Sequence, residues 1–190
     1  MDMMHDEKTC SELTKNTLEI ALSAAEKYDT DLIIASTTGA TALQLSELAM
    51  VTGFRHKIIC VTHAYGRKIK GENEMSLETM KILEKRQVAL ITASHVLSGA
   101  ERALSNMFKG LYPVEIVAAT LRMLGQGVKV CVEIALMALD GGKIAYKKPV
   151  ICVAGTARGA DTICLITPSY TDAFLETKIH KILCSSLSLD

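Results

Sequence analysis

Five short runs in this chain, residues 32–35, 57–62, 88–92, 150–154 and 162–167, are apolar at consecutive rather than alternate positions. A strand with one wet face alternates, whereas a strand apolar on both faces has to be covered twice. Longer segments at helical spacing separate the first four runs. The pattern therefore calls for an α/β fold: a three-layer α/β/α sandwich around a five-stranded, mostly parallel sheet. The 155–161 link is too short to house a crossover helix, so the fifth strand is expected to return antiparallel to the fourth. With 190 residues, 49% of them hydrophobic, and no linker or repeat, a single domain over 1–190 is expected.

The helices are expected over 10–28, 40–51, 76–85, 98–108, 113–124 and 128–139, with a further one in the tail after Asp172. Two capping boxes, Thr9 to Glu12 and Ser98 to Glu101, mark helix starts, and Pro113 suits a first turn. Segment 128–139 is interrupted in its apolar run only by Lys129 and Glu133. It is expected either to lie in the core or to help form a homo-oligomer.

Composition removes several classes of function. A formal net charge of zero leaves no electrostatic footprint for nucleic acid or an anionic membrane. No apolar run approaches the roughly 20 residues needed to span a bilayer. The start of the chain is acidic and polar, unlike a signal peptide, so a cytoplasmic protein is expected. The six cysteines are scattered, without a Cys-x-x-Cys pair or a neighbouring histidine at ligand spacing, so neither a disulfide nor a metal site is expected. The dinucleotide fingerprint, the nucleotide-triphosphate loop and the Gly-x-Ser-x-Gly elbow are all missing.

What the sequence does contain is a turn built for an anion. The first apolar run stops in Ser36, Thr37, Thr38 and Gly39, and a helical pattern then starts with Ala40, Thr41 and Ala42. Hydroxyls, a glycine and the free N–H groups of a helix start converge there, as binding a phosphate requires. Ordinary N-capping by Ser and Thr is the alternative on these residues alone.

In such folds ligands bind beyond the carboxyl ends of the parallel strands. The residues there are Thr62 and His63 after the second strand, Ser94 and His95 after the third, and Gly155, Thr156, Arg158 and Gly159 after the fourth. Acidic residues are scarce, with only Glu101 and Asp161 close in sequence, which suits an anion rather than a divalent cation. His63 and His95 are the candidates for a proton donor, with hydrogen bonding to loop carbonyls as the alternative. No catalytic set of nucleophile, base and acid stands out.

The segment from Ala35 to Ser46 resembles the hydroxyl-rich loop and helix with which the C-terminal domain of pyruvate kinase grips the phosphate of a sugar bisphosphate. The run 57–62 looks like the strand that follows, and 153–162 is similar to the glycine-rich final hairpin of that domain. The middle, His95 to Arg102 and Tyr112 to Ala135, is similar to small stand-alone prokaryotic proteins built on the same α/β domain. The resemblance implies a sheet ordered 3-2-1-4-5 with strand five antiparallel. It also implies that members can carry flavin mononucleotide (FMN), whose phosphate would occupy 36–42. Ala40 replaces the arginine familiar in the pyruvate kinase loop, which favours a phosphate monoester over a bisphosphate.

Pyruvate kinase activity is not expected, because its chemistry belongs to a barrel domain that nothing here resembles. The leading reading is an FMN-binding protein, with oxidoreductase activity on an unassigned substrate as its enzymatic form. The alternative is a non-catalytic sensor or regulatory module for a phosphorylated metabolite.

Overall fold

A computed structural model describes residues 7–156 and 158–185 of the chain. The acidic start read as no signal peptide falls mostly outside these residues. In chain order the elements are α1 (Glu7–Tyr28), β1 (Leu32–Ala35), α2 (Ala40–Thr52), β2 (Ile58–Thr62), α3 (Leu77–Lys85), β3 (Ala89–Thr92), α4 (Gly99–Phe108), α5 (Pro113–Arg122), α6 (Gln126–Asp140), β4 (Val150–Ala154) and β5 (Thr162–Thr167). A 3₁₀ turn over Thr171–Glu176 and a last strand, β6 (Lys178–Cys184), complete it.

The strands form one sheet in the order β3-β2-β1-β4-β5-β6. The four strands β1 to β4 are parallel, and β5 and β6 are antiparallel to their neighbours. The expected order 3-2-1-4-5 is thus present, with one strand more than expected.

That sixth strand corrects the reading of the tail as a helix. An antiparallel β5 would leave a row of backbone donors and acceptors bare, and 178–184 pairs with it. Lys178, His180 and Lys181 are exposed on this outermost strand, where charge blunts further edge pairing. The capping box at Thr9 does not mark a helix start, because α1 already begins at Glu7. The one at Ser98 does stand where α4 opens but forms no box, since Ser98 makes no side-chain cap. Glu101 instead accepts the N–H groups of Val114 and Glu115, at 2.9 and 3.2 Å, and so caps α5.

Both faces of the sheet are buried. On one side, α1, α2 and α3 bring Leu18, Ala25, Leu45 and Leu83 against Leu32, Ile34 and Cys60. On the other, α6 lays Val128, Cys131, Ala135 and Leu139 against Ile33, Ile59 and Cys152. Helix α6 is in the core, so its apolar composition is used inside the subunit. Gly127 lets it sit close, because a Cβ there would overlap the side chain of Thr162 on β5. No helix among the described residues is long and apolar enough to cross a membrane. All six cysteines are free thiols, and burial pushes Cys60 up to about 12.

Candidate functional site

A cleft of about 980 Å³ opens at the carboxyl ends of β1, β2, β3 and β4. Its volume falls within the range of small-molecule sites. Most of the expected residues line it: Ser36, Thr37, Thr38, Ala40, Thr41, Thr62, His63, Ser94, His95, Gly155, Thr156, Arg158 and Gly159. Ala42 and Gly39 do not; both are buried behind the turn.

The turn after β1 is not consumed by capping. The residue at the helix start is Gly39, in the left-handed region at φ 90°, and it offers no side chain. Ser36 Oγ reaches the Ala42 N–H only at 3.4 Å. The hydroxyls of Thr37, Thr38 and Thr41 hydrogen-bond to nothing among the described residues. Nor does the first turn of α2 carry an acidic residue to offset its positive end. Gly39 itself serves packing as much as the turn: a Cβ there would overlap Thr79 on α3.

The neighbouring strand ends are more committed. The Asn73 side chain donates to Thr92 Oγ1 at 3.3 Å, and the hydroxyls of Thr92 and Thr62 are 2.7 Å apart. Thr62 donates in turn to the His63 carbonyl, so its hydroxyl is held within the strand edge. Asp161 accepts from Thr156 N–H at 2.9 Å and from Thr162 Oγ1 at 2.6 Å, which fixes the loop between β4 and β5. The glycines of that loop serve packing: a Cβ on Gly155 would meet the Gly159 carbonyl, and one on Gly159 would meet Thr14 of α1.

His63 and His95, from adjacent strand ends, come together with ring centroids 5.3 Å apart, edge to face. Each is paired with a carboxylate that sequence proximity did not reveal. His63 Nδ1 lies 2.8 Å from Glu74 Oε1, and His95 Nδ1 lies 3.2 Å from Glu133 Oε2. The mouth is therefore less poor in acids than the residues adjacent to the strand ends suggest. Glu133 also contacts Lys129 Nζ at 2.5 Å and accepts the Leu97 N–H at 3.0 Å. Lys129 and Glu133 are only 4% and 1% exposed, so the two residues that interrupt the apolar run form a buried ion pair on the floor of the cleft.

Burial works to raise the Glu133 pKa, but the hydrogen bond from His95 and the charge and hydrogen bond of Lys129 outweigh it and hold the carboxyl below its ordinary range. A folded pKa below the unfolded one means the ionised form stabilises the fold. That contribution is complete above the ordinary glutamate pKa of about 4.3 and is lost as pH falls through the folded value. The urea midpoint is expected to fall between about pH 6 and about pH 3. Replacing both Lys129 by Met and Glu133 by Gln is expected to flatten that dependence; an unchanged slope would contradict it.

Positive charge dominates the walls. Arg67, Lys70, Arg102, Arg122, Lys129 and Arg158 line the cleft, against a single lining carboxylate, Glu133. Apart from Arg158, none of these stands out in the sequence as a site residue. Arg67 and Lys70 stand in a visibly basic loop, while Arg102 and Arg122 lie on helices with no local sign that they return over the mouth. Val61, Ile134 and Met137 supply an apolar floor. No cluster of three or more potential metal ligands occurs among the described residues. The arrangement suits a small molecule with an anionic end and a flat or apolar remainder.

Comparison with known proteins gives two findings. The model of the family described as pyruvate kinase, alpha/beta domain, matches residues 15–166. Among solved structures, the chain is similar to NAD+ synthetase from Burkholderia pseudomallei at 14% identity and a TM-score of 0.36. That match covers 80% of this chain and 66% of the other, just under two thirds of its length.

Proposed function

This chain belongs to the pyruvate kinase alpha/beta domain family, and from that premise we propose that its cleft binds flavin mononucleotide, with the phosphate in the 36–42 turn. The observation that carries the reading is the set of Thr37, Thr38 and Thr41 hydroxyls, unspent beside a helix start without a side-chain cap. The remaining residues fit the group. Val61, Ile134 and Met137 can floor a flat ring system, and His63 and His95 stand at its edge. When bound, a flavin supplies hydride or single-electron transfer, which would make the protein an oxidoreductase. The protein's own part is to hold the phosphate, shield one ring face and place two histidines.

Titration with FMN and with riboflavin tests the reading. Two charge-assisted hydrogen bonds to the phosphate are worth about 1.5–3 kcal/mol each, so FMN is expected to bind roughly 100-fold or more tightly than riboflavin. Equal affinities would sink the phosphate assignment. The second reading, a sensor for a phosphorylated metabolite, is favoured by the cationic walls, which offer more positive charge than one phosphate monoester needs. The mass of the compound released on denaturing the purified protein separates the two.

A further inference from the structure

We propose that the buried Lys129–Glu133 pair positions His95, setting it as the Nδ1–H tautomer so that Nε2 stands as a hydrogen-bond acceptor for an N–H or O–H group of the ligand. The inference deepens the reading of the cleft as a ligand site and rests on it for the identity of that donor.

The geometry runs outward from α6. Lys129 and Glu133, four residues apart, share one face of the helix, and each is almost wholly buried. Glu133 Oε1 is taken by the Leu97 N–H and Oε2 by Lys129 and His95, so the carboxylate has one orientation. An ionised carboxylate only accepts, which makes His95 Nδ1 the donor, so that whenever the ring holds a single proton the lone pair is on Nε2. That atom is buried and has no hydrogen-bond partner among the described residues.

A buried acceptor without a partner is a cost that a fold carries only where something else supplies the donor. Neighbouring charges do not fill the role. His63, on the other flank, meets His95 edge to face and has its own Nδ1 engaged by Glu74. Lys129 balances Glu133, so the carboxylate acts on His95 by direction more than by net charge. Arg102 and Arg122 line the same cleft from α4 and α5. The ligand class is therefore a phosphorylated molecule that carries a proton donor on the part remote from its phosphate. The imide N–H of a flavin is one such group.

Nitrogen NMR of the free full-length protein with labelled histidine reads the tautomer directly, with the His95 signals assigned by their loss in His95→Gln. A protonated Nδ1 and an unprotonated Nε2 are expected. A neutral His95 protonated on Nε2 would overturn the proposal, whatever the stability of any variant. In the double variant Glu133→Gln with Lys129→Met, which leaves no buried unpaired charge, the tautomer is expected to change and FMN affinity to fall at least tenfold. A double variant that keeps the Nδ1–H tautomer, or that changes tautomer with FMN affinity intact, would overturn the positioning role. If the parent binds neither FMN nor inorganic phosphate, the reading of the cleft fails, and the tautomer measurement still decides what Glu133 does.

Discussion

Replacing Lys129 by alanine is expected to destabilise the folded protein by about 3–5 kcal/mol, the usual consequence of leaving one member of a buried ion pair without its partner. Glu133 is 1% exposed and cannot recover water as a substitute. Its remaining contacts, the Leu97 N–H and His95, are one neutral donor and one ring that carries charge only when protonated. Removing both charges together, with Lys129→Met and Glu133→Gln, should cost clearly less than the single change, because desolvation of both ions is no longer required. Urea unfolding of the three proteins at neutral pH checks this. A single variant within about 1 kcal/mol of the parent would show that the pair is not desolvated.

That a core helix carries such a pair at all bears on function. An apolar pair of similar volume would often be as stable or more so, so the charges are not explained by stability alone. They are explained if something on the cleft floor needs to be held in one orientation, and His95 is the group that they hold.

Thr41→Asp is expected to have opposite effects on stability and on binding. Thr41 is in the first turn of α2, a helix start with no acidic residue and no side-chain cap. A carboxylate there meets the positive end of the helix and should stabilise the fold by about 0.3–1 kcal/mol. The same charge lies where the phosphate is proposed to sit. At roughly 5 Å and an effective dielectric constant near 20, repulsion is on the order of 3 kcal/mol per phosphate charge, so FMN affinity should fall by 100-fold or more. Thermal melting and FMN titration of one variant read both effects. A variant that melts higher yet binds FMN as the parent does would place the phosphate elsewhere. Gly39→Asp is a poorer test of the same turn, since its side chain would strike Thr79 and disturb α3 before it reached any ligand.

Most of the sheet is legible in the order of the residues alone. Residues 32–35, 150–154 and 162–167 are strands with the expected bounds, because continuous apolar runs that end in polar turns are local signals that no distant segment has to complete. The short 155–161 link likewise decides the direction of β5 by its length alone. The turn at 36–42 is legible for the same reason: its hydroxyls, glycine and helix start are consecutive.

What the sequence by itself could not determine is which distant groups meet. Lys129 and Glu133 read as interruptions of an apolar segment, since spacing shows that they neighbour each other on a helix but not that His95 ends beside them. Glu74 reaches His63 from the loop before α3, and Arg102 and Arg122 reach the cleft from helices whose path over the sheet is set by packing. The tail is a strand because β5 has an edge to fill, a demand made by the assembled sheet and not by residues 178–184. Local periodicity and turn chemistry act over a few residues and so are written in the sequence. Charge pairing, desolvation and edge pairing depend on distances that exist only once the layers have packed.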